Sequence, residues 1–425
     1  GFVLRLNYIQ VTGHLIRQHD VGGENGHLEY IMRLYNGEGL ANTVKWQYYQ
    51  PPVWHFLCAV WLKIQTFFGV AMNAALENLQ LISLFCSSVV MLLSHKLFKL
   101  FGLNGASLCV PLAIVSFHPS FIMLAGSINN DILSITLSLL AVVLAVEWYR
   151  RPNLLKIIAL ALAIGFSMGV KLSGGLVSVG VALLFAIVFF KKEANKKQLF
   201  SQFAVFGVIC VPIALWWQLR NYILFKIPPT YVPMLSQSSN QYIGFRSVYE
   251  RLFDFSSILD NGVYPARVLK TQAFEYFEYN IPLGALKSAV FGEYYIGKGT
   301  SLEIFANILF WSSAILALIS VVAAIWSLIT AIKEKKLAIE LFSVLIIGAT
   351  LIFSYVKFCF TFAHFCTMDF RYIALTLVLG SLYIGLLIKN AQKNNKMFGM
   401  AVSVILICLT FVMAFTSFVF YSSIA

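Results

Sequence analysis

The densest polar cluster in the chain is Gln18-His19-Asp20-Val21-Gly22-Gly23-Glu24-Asn25-Gly26-His27-Leu28-Glu29-Tyr30. Its three acids and two histidines fall within eleven residues. Such a group suits general-base work or metal binding, and three glycines permit a tight backbone. A solvated loop carrying helix caps would use the same residue types, and both readings stand. Asn129-Asn130-Asp131 opens a long apolar run, either as a helix cap or as a functional acid. Tyr48-Tyr49-Gln50-Pro51-Pro52-Val53-Trp54-His55 is a rigid helix start that also offers Gln50 and His55 as binding groups. Lys171 sits between two apolar runs with almost no loop, where a lysine can snorkel or act. Asp369-Phe370-Arg371-Tyr372 precedes another run, as a surface ion pair or as a functional pair at a membrane boundary.

The elements that must hold these residues are membrane helices. The chain has 425 residues, 59% hydrophobic and 12% charged, against about 25% charged in soluble domains. Continuous apolar runs, not alternating ones, imply helices and exclude a barrel. Ten runs are expected to span, at 76–95, 104–125, 130–148, 154–170, 172–190, 198–221, 303–330, 337–357, 370–388 and 397–421. Gly1-Phe2-Val3-Leu4 reads as the end of a further apolar helix, which would make eleven. The fold class expected is an all-α polytopic membrane protein. The net charge of +13 is spread over short loops and does not form a nucleic-acid stripe. The seven cysteines show no zinc spacing, and most read as small core residues. Cys359 and Cys366 flank one short loop, where a disulfide is a minor alternative.

Charge orients the runs. Lys96 and Lys99; Arg150, Arg151 and Lys156; Lys191, Lys192, Lys196 and Lys197; Lys333, Lys335 and Lys336; and Lys389, Lys393 and Lys396 fill five short loops. Even numbers of spans separate them, so all five share one side, which the positive-inside rule makes cytoplasmic. Residues 10–75 and 222–300 then lie together on the other side, with Asp20, Asp131, Lys171 and Arg371. The first of these segments is expected to hold two or three juxtamembrane helices. His27 to Leu40 opens with apolar residues at helical spacing, and Val53 to Val70 mixes aromatic and polar residues as an interfacial helix does. The second, rich in Tyr and Phe, is expected to fold against the same face.

The order of these features resembles the GT-C glycosyltransferases of family 39 type, which include the protein O-mannosyltransferases and the lipid A aminoarabinose transferase. An acidic first external loop precedes Tyr49-Gln50-Pro51-Pro52, then Asn130-Asp131, then Lys171, and Arg371-Tyr372 comes late. Gln18-His19-Asp20-Val21-Gly22 with Gly26-His27 looks most like bacterial members. The resemblance covers most of 1–220 and, more loosely, 364–372. It implies a GT-C-type helix bundle that transfers a sugar from a polyprenyl-phosphate donor to a hydroxyl acceptor, with inversion. The acceptor would be a cell-envelope glycan, lipid or protein. By the same resemblance Asp20 is the catalytic base and Asp131 the second catalytic acid. The chain has Asp20-Val21 and Tyr49-Gln50 where several relatives have Asp-Glu and Glu-Lys, so their lysine and glutamate roles have no counterpart here.

Together these readings give three segments: a module at 1–221, an external segment at 222–300, and C-terminal helices at 301–425. Substrate contacts are expected from His19, His27, Glu29, Gln50, His55, Asn130, Lys171, Arg371 and Tyr372. Asp20 and Asp131 should share one outward-opening cavity, with Arg371 toward the lipid side. No obligatory metal is expected, because Arg371 and Lys171 can neutralise a lipid phosphate; the group His19, Glu24 and His27 is the main challenge to that view. The partners are the lipid-linked donor, an acceptor and membrane lipids, with no nucleic acid. The place is the plasma membrane, with the site on its extracellular or periplasmic side. The competing class is a multi-span transporter of a small polar or lipid-linked solute. Transporters place polar groups near the midplane between repeats, whereas these charges gather at one face and no repeat between halves is evident.

Overall fold

A computed structural model describes residues 1–191, 195–268, 274–295, 299–333 and 338–424. Its helices, in chain order, are α1 (Phe2–Val11), α2 (His27–Tyr35), α3 (Val53–Phe67), α4 (Met72–Glu77), α5 (Gln80–Leu100), α6 (Gly105–Phe117), α7 (Pro119–Gly126), α8 (Asp131–Arg150) and α9 (Leu154–Val170). There follow α10 (Ser178–Phe190), α11 (Lys196–Phe225), α12 (Val248–Phe253), α13 (Ser257–Asn261), α14 (Ile281–Phe291), α15 (Glu303–Lys333), α16 (Ile339–Thr361), α17 (Leu375–Asn394) and α18 (Lys396–Ser423). Two short strands, β1 (Ala266–Val268) and β2 (Phe274–Tyr276), pair antiparallel.

Among the described residues all ten apolar runs are helical, but two are not simple spans. Among the described residues eight helices are long and apolar enough to cross a bilayer, or nine if α6 and α7 count as one. That is fewer than the ten or eleven expected. The run at 104–125 bends by 45° at His118, whose extended backbone precedes Pro119. Proline disfavours a helical residue before it, so a run of continuous apolarity still breaks there. The run at 154–170 is the 17-residue α9, which at about 1.5 Å per residue falls short of a bilayer core. It stops where Lys171 turns extended (φ −155°, ψ 127°).

Side-chain contacts draw the five basic segments to one end of the bundle. Lys96 pairs with Glu147 at 2.9 Å, and Arg150 reaches both Glu340 (3.1 Å) and the Leu100 carbonyl (2.6 Å). Lys389 donates to the Phe101 carbonyl at 3.0 Å, and Lys191 lies over the Tyr149 ring. Lys192, Lys335 and Lys336 lie outside the described residues. The polar clusters occupy the opposite end.

Helix α8 is the centre of the bundle, with 67% of its apolar stretch buried, whereas α15 has 11% and turns its apolar side chains outward. Packing crosses all three sequence segments: α8 lies on α5 and α9, α9 on α11, α6 on α17 and α18, α1 on α7 and α18, and α14 on α7 and α15. Of the two or three juxtamembrane helices expected in 10–75, two are α2 and α3. The latter buries Trp54, Cys58 and Leu62 and exposes Phe56, Leu57, Val60, Ile64 and Phe67, as an interfacial helix must. The described part of 222–300 folds against the loop at 358–369, with Ile243 N donating to Ala363 O and Phe365 N to Gln241 O. Its last helix, α14, is largely buried.

Candidate active site

The first polar loop doubles back on itself. His27 N donates to Asp20 O at 2.9 Å and Leu28 N to Val21 O at 3.1 Å. Gly26 is required for this, because a Cβ there would sit 2.7 Å from the Val21 and Gly22 carbonyl oxygens. Asp20 itself holds a left-handed backbone (φ 56°), a conformation that Asp tolerates better than most residues and that costs energy locally. Gln18 anchors the loop, donating to Gly126 O (2.7 Å) and accepting from Ile128 N (2.8 Å). The loop is thereby tied to the segment that leads into α8.

Arg371 gathers the acids. It follows α16 and a short 3-10 turn and precedes α17. Its Nη2 donates to Asp20 Oδ2 at 3.2 Å and its Nη1 to Asp131 Oδ2 at 3.4 Å. Nη2 also donates to the Tyr372 hydroxyl at 3.0 Å. Asp131, the first residue of α8, is paired on its other oxygen by Lys171. Lys171 in turn lies 4.6 Å from the Tyr372 ring centre. Thus Asp20, Asp131, Lys171, Arg371 and Tyr372 form one contiguous group. Arg371 lies between the two carboxylates and not off to one side as expected. The reason is electrostatic: carboxylates withdrawn from water need a nearby cation, and one lysine cannot serve both.

The group sits at the polar end of a cavity of about 410 Å³. His27, Tyr49, Gln50 and Asn130 complete that end, and Leu172, Leu176, Leu351, Phe358 and Phe362 form an apolar wall. Asn130 donates to Gln50 Oε1 (3.3 Å) and to the Val170 carbonyl (2.9 Å), which ties the start of α8 to the end of α9. Burial, with Asp20 and Asp131 adding to it, pushes the Tyr49 hydroxyl up, so it stays protonated as a donor.

Three of the expected substrate contacts do not line this cavity. Glu29 accepts from Tyr48 Oη at 2.9 Å and from the Asn25 amide, so it braces the loop. His55 is fully buried, with Nε2 2.8 Å from His27 Nδ1, and stacks on Tyr30. Burial pulls His55 down to about 3, and burial followed by the neighbouring His55 holds His27 well below the usual histidine range. His19 lies against Glu293 and Asp369 instead. Glu24 does not join His19 and His27 in a ligand group. Cys359 and Cys366 are free thiols, and so are the other five cysteines.

His19 faces two acids. Glu293, in the turn after α14, was not singled out by sequence, and Asp369 entered only as the neighbour of Arg371. The three ligand atoms lie within 4.8 Å of one another. Asp369 is 2% exposed, and far from being a surface group it is buried with Arg371. Burial, with Asp369 adding to it, raises the Glu293 carboxyl above the usual range. Burial likewise raises Asp369. The only sequence signal for Glu293 was an acid in an otherwise aromatic stretch, Phe291-Gly292-Glu293-Tyr294-Tyr295.

No family profile matches the chain, and no curated protein matches it in sequence. Solved structures do match. The oligosaccharyltransferase AglB of the archaeon Archaeoglobus fulgidus, in complex with an inhibitory peptide and a dolichol-phosphate, is similar over 99% of this chain and 55% of its own, with a TM-score of 0.55 and 11% identity. The apo form of the A. fulgidus oligosaccharyltransferase gives 0.53, 10% identity and the same coverage. ArnT of Cupriavidus metallidurans is similar over 99% of this chain and 74% of its own, at 0.49 and 12% identity. The chain spans about half the length of the oligosaccharyltransferases it matches. It is a multi-span integral membrane protein with the fold of the GT-C membrane glycosyltransferases.

Proposed function

We propose that this chain is an inverting glycosyltransferase of family 39-like, bacterial type. It moves a hexosyl or pentosyl group from a polyprenyl-phosphate donor to a hydroxyl acceptor on the non-cytoplasmic face of the plasma membrane. The observation that carries the reading is the convergence of Asp20 and Asp131, from distant segments, on one guanidinium at the polar end of a cavity with an apolar wall. A sugar phosphate with a lipid tail needs that combination. A small polar solute would not need the apolar wall.

The chemistry follows from the placement. Asp20, whose side chain is 29% exposed, is the acid most open to water and accepts the proton of the incoming hydroxyl. The acceptor oxygen bonds to the anomeric carbon from one face while the bond to the phosphate oxygen breaks on the other, through an oxocarbenium-like state. Charge builds on the departing lipid phosphate, and Arg371 and Lys171 neutralise it. In the resting site both cations are held by carboxylates, so donor phosphate and acid compete for them. Asp131 keeps Lys171 and Arg371 in place and faces the sugar, with Gln50, Asn130, His27 and Tyr49 as hydroxyl partners. This chemical step has no metal requirement in our reading. Residues 1–221 and 301–425 supply the donor site, and 222–300 shapes the acceptor side.

The test is Asp20→Asn, introduced into cells that lack the native protein, with readout of envelope glycan composition. The expected result is loss of the modification restored by the native chain, with the variant present in the membrane at normal level. Retained modification sinks the assignment of the base.

A further inference from the structure

We infer that His19, Glu293 and Asp369 form a divalent-cation site that pins the Asp20 loop to the segment carrying Arg371. The three residues come from three distant parts of the chain: the first loop, the turn after α14, and the 3-10 turn before α17. His19 Nδ1 lies 3.7 Å from Asp369 Oδ2 and 3.9 Å from Glu293 Oε1. Both distances are too long for hydrogen bonds. With those two separations and a third of at most 4.8 Å, a point equidistant from the three ligand atoms is at most roughly 2.5 Å from each, close to zinc–ligand lengths of about 2.0–2.2 Å.

A second observation points the same way. Asp369 is 98% buried, being 2% exposed, and its Oδ2 has no hydrogen-bond partner. Its other oxygen is already used, accepting from the Arg371 amide at 2.8 Å. The guanidinium does not satisfy Oδ2 either, since Arg371 Nε is 3.8 Å away and itself lacks a partner. A buried acceptor without a partner is costly, and this one points at the imidazole that faces Glu293. One imidazole and two carboxylates suit a first-row divalent ion such as Mn²⁺ or Zn²⁺. The ligand set shares no residue with Asp20, Asp131 or Lys171. The ion's role would be positional. His19 is adjacent in sequence to Asp20, whose left-handed backbone needs holding, and Asp369 is two residues from Arg371.

The site does not depend on the glycosyl-transfer reading, and its test reads metal binding alone. The full chain, purified in detergent, stripped with a chelator and desalted, is titrated with Mn²⁺. Free Mn²⁺ is followed by electron paramagnetic resonance, and thermal unfolding is measured with and without the ion. The native chain should bind one ion saturably and unfold at higher temperature with it. Glu293→Gln, and independently His19→Gln, should weaken binding about tenfold or more, by comparison with losses seen at metal-supporting residues. Asp20→Asn should bind as the native chain does. Absence of saturable binding overturns the site, and so does native affinity retained in both glutamine variants. Loss of binding in Asp20→Asn matching that in Glu293→Gln also overturns it, because the ion then sits among the paired carboxylates. If one glutamine variant fails to fold, the other decides.

Discussion

Replacing Arg371 by Met removes the guanidinium between three acids and keeps an unbranched apolar stem. The native group holds Asp20, Asp131 and Asp369 against Arg371 and Lys171, so the substitution takes its formal charge from −1 to −2. Asp131 and Asp369 have side chains only 4% and 3% exposed. At an effective dielectric of 20, a contact of 3.4 Å is worth about 5 kcal/mol. Asp20, at 3.2 Å but 29% exposed, is nearer the water limit of about 1 kcal/mol. Breaking a buried pair by removing one partner costs about 3–5 kcal/mol. The low end, about 3 kcal/mol, is expected here, because Asp131 keeps Lys171 and Asp369 can take up a proton. Denaturant unfolding of the purified chain in detergent measures it. A cycle with Asp131→Asn should return most of the loss, and a cycle with Asp20→Asn should return about 1 kcal/mol or less. Arg371→Met within about 0.5 kcal/mol of native, or larger coupling to Asp20 than to Asp131, would refute the electrostatic account.

Acid sensitivity should trace in part to His55. Its folded-state value, about 3, lies below the ordinary 6.5, so the unfolded chain alone takes up this proton as pH falls. The stability it supports is complete above pH 6.5 and is lost progressively between 6.5 and about 3. His55→Phe should therefore lose about 2 kcal/mol less than the native chain between pH 7 and pH 5; an unchanged loss would refute the assignment. For topology, Asn36→Cys should react with an impermeant thiol reagent on intact cells and Lys197→Cys only after permeabilisation; both positions are exposed. The reverse pattern inverts the orientation.

The paired core of the site was legible because charge inside or beside long apolar runs is conspicuous. Asp131, Lys171 and Arg371 stand at the ends of such runs, and Asp20 in the one strongly acidic loop. The membrane class and the grouping of basic loops were legible for the same reason. Other parts were not. Glu29 and His55 have the residue types of a binding site, but their hydrogen bonds and stacking brace the loop and α2, which only three dimensions reveal. Glu293 lies in a stretch without clear periodicity, and its partners are His19 and Asp369, at sequence distances no local pattern spans. Asp369 stood open between a surface pair and a functional one, because an i, i+2 acid and base look alike on a surface and in a core. The break at His118 was signalled by Pro119, but strong apolarity on both sides outweighed it.

The central claim is that the cavity takes a lipid-linked sugar phosphate. Native mass spectrometry of the chain purified from its own membranes tests this most directly. One retained polyprenyl phosphate or its sugar ester per chain is expected, displaced by added polyprenyl phosphate. Bulk phospholipid alone, with no polyprenyl phosphate retained and none bound on addition, would contradict it.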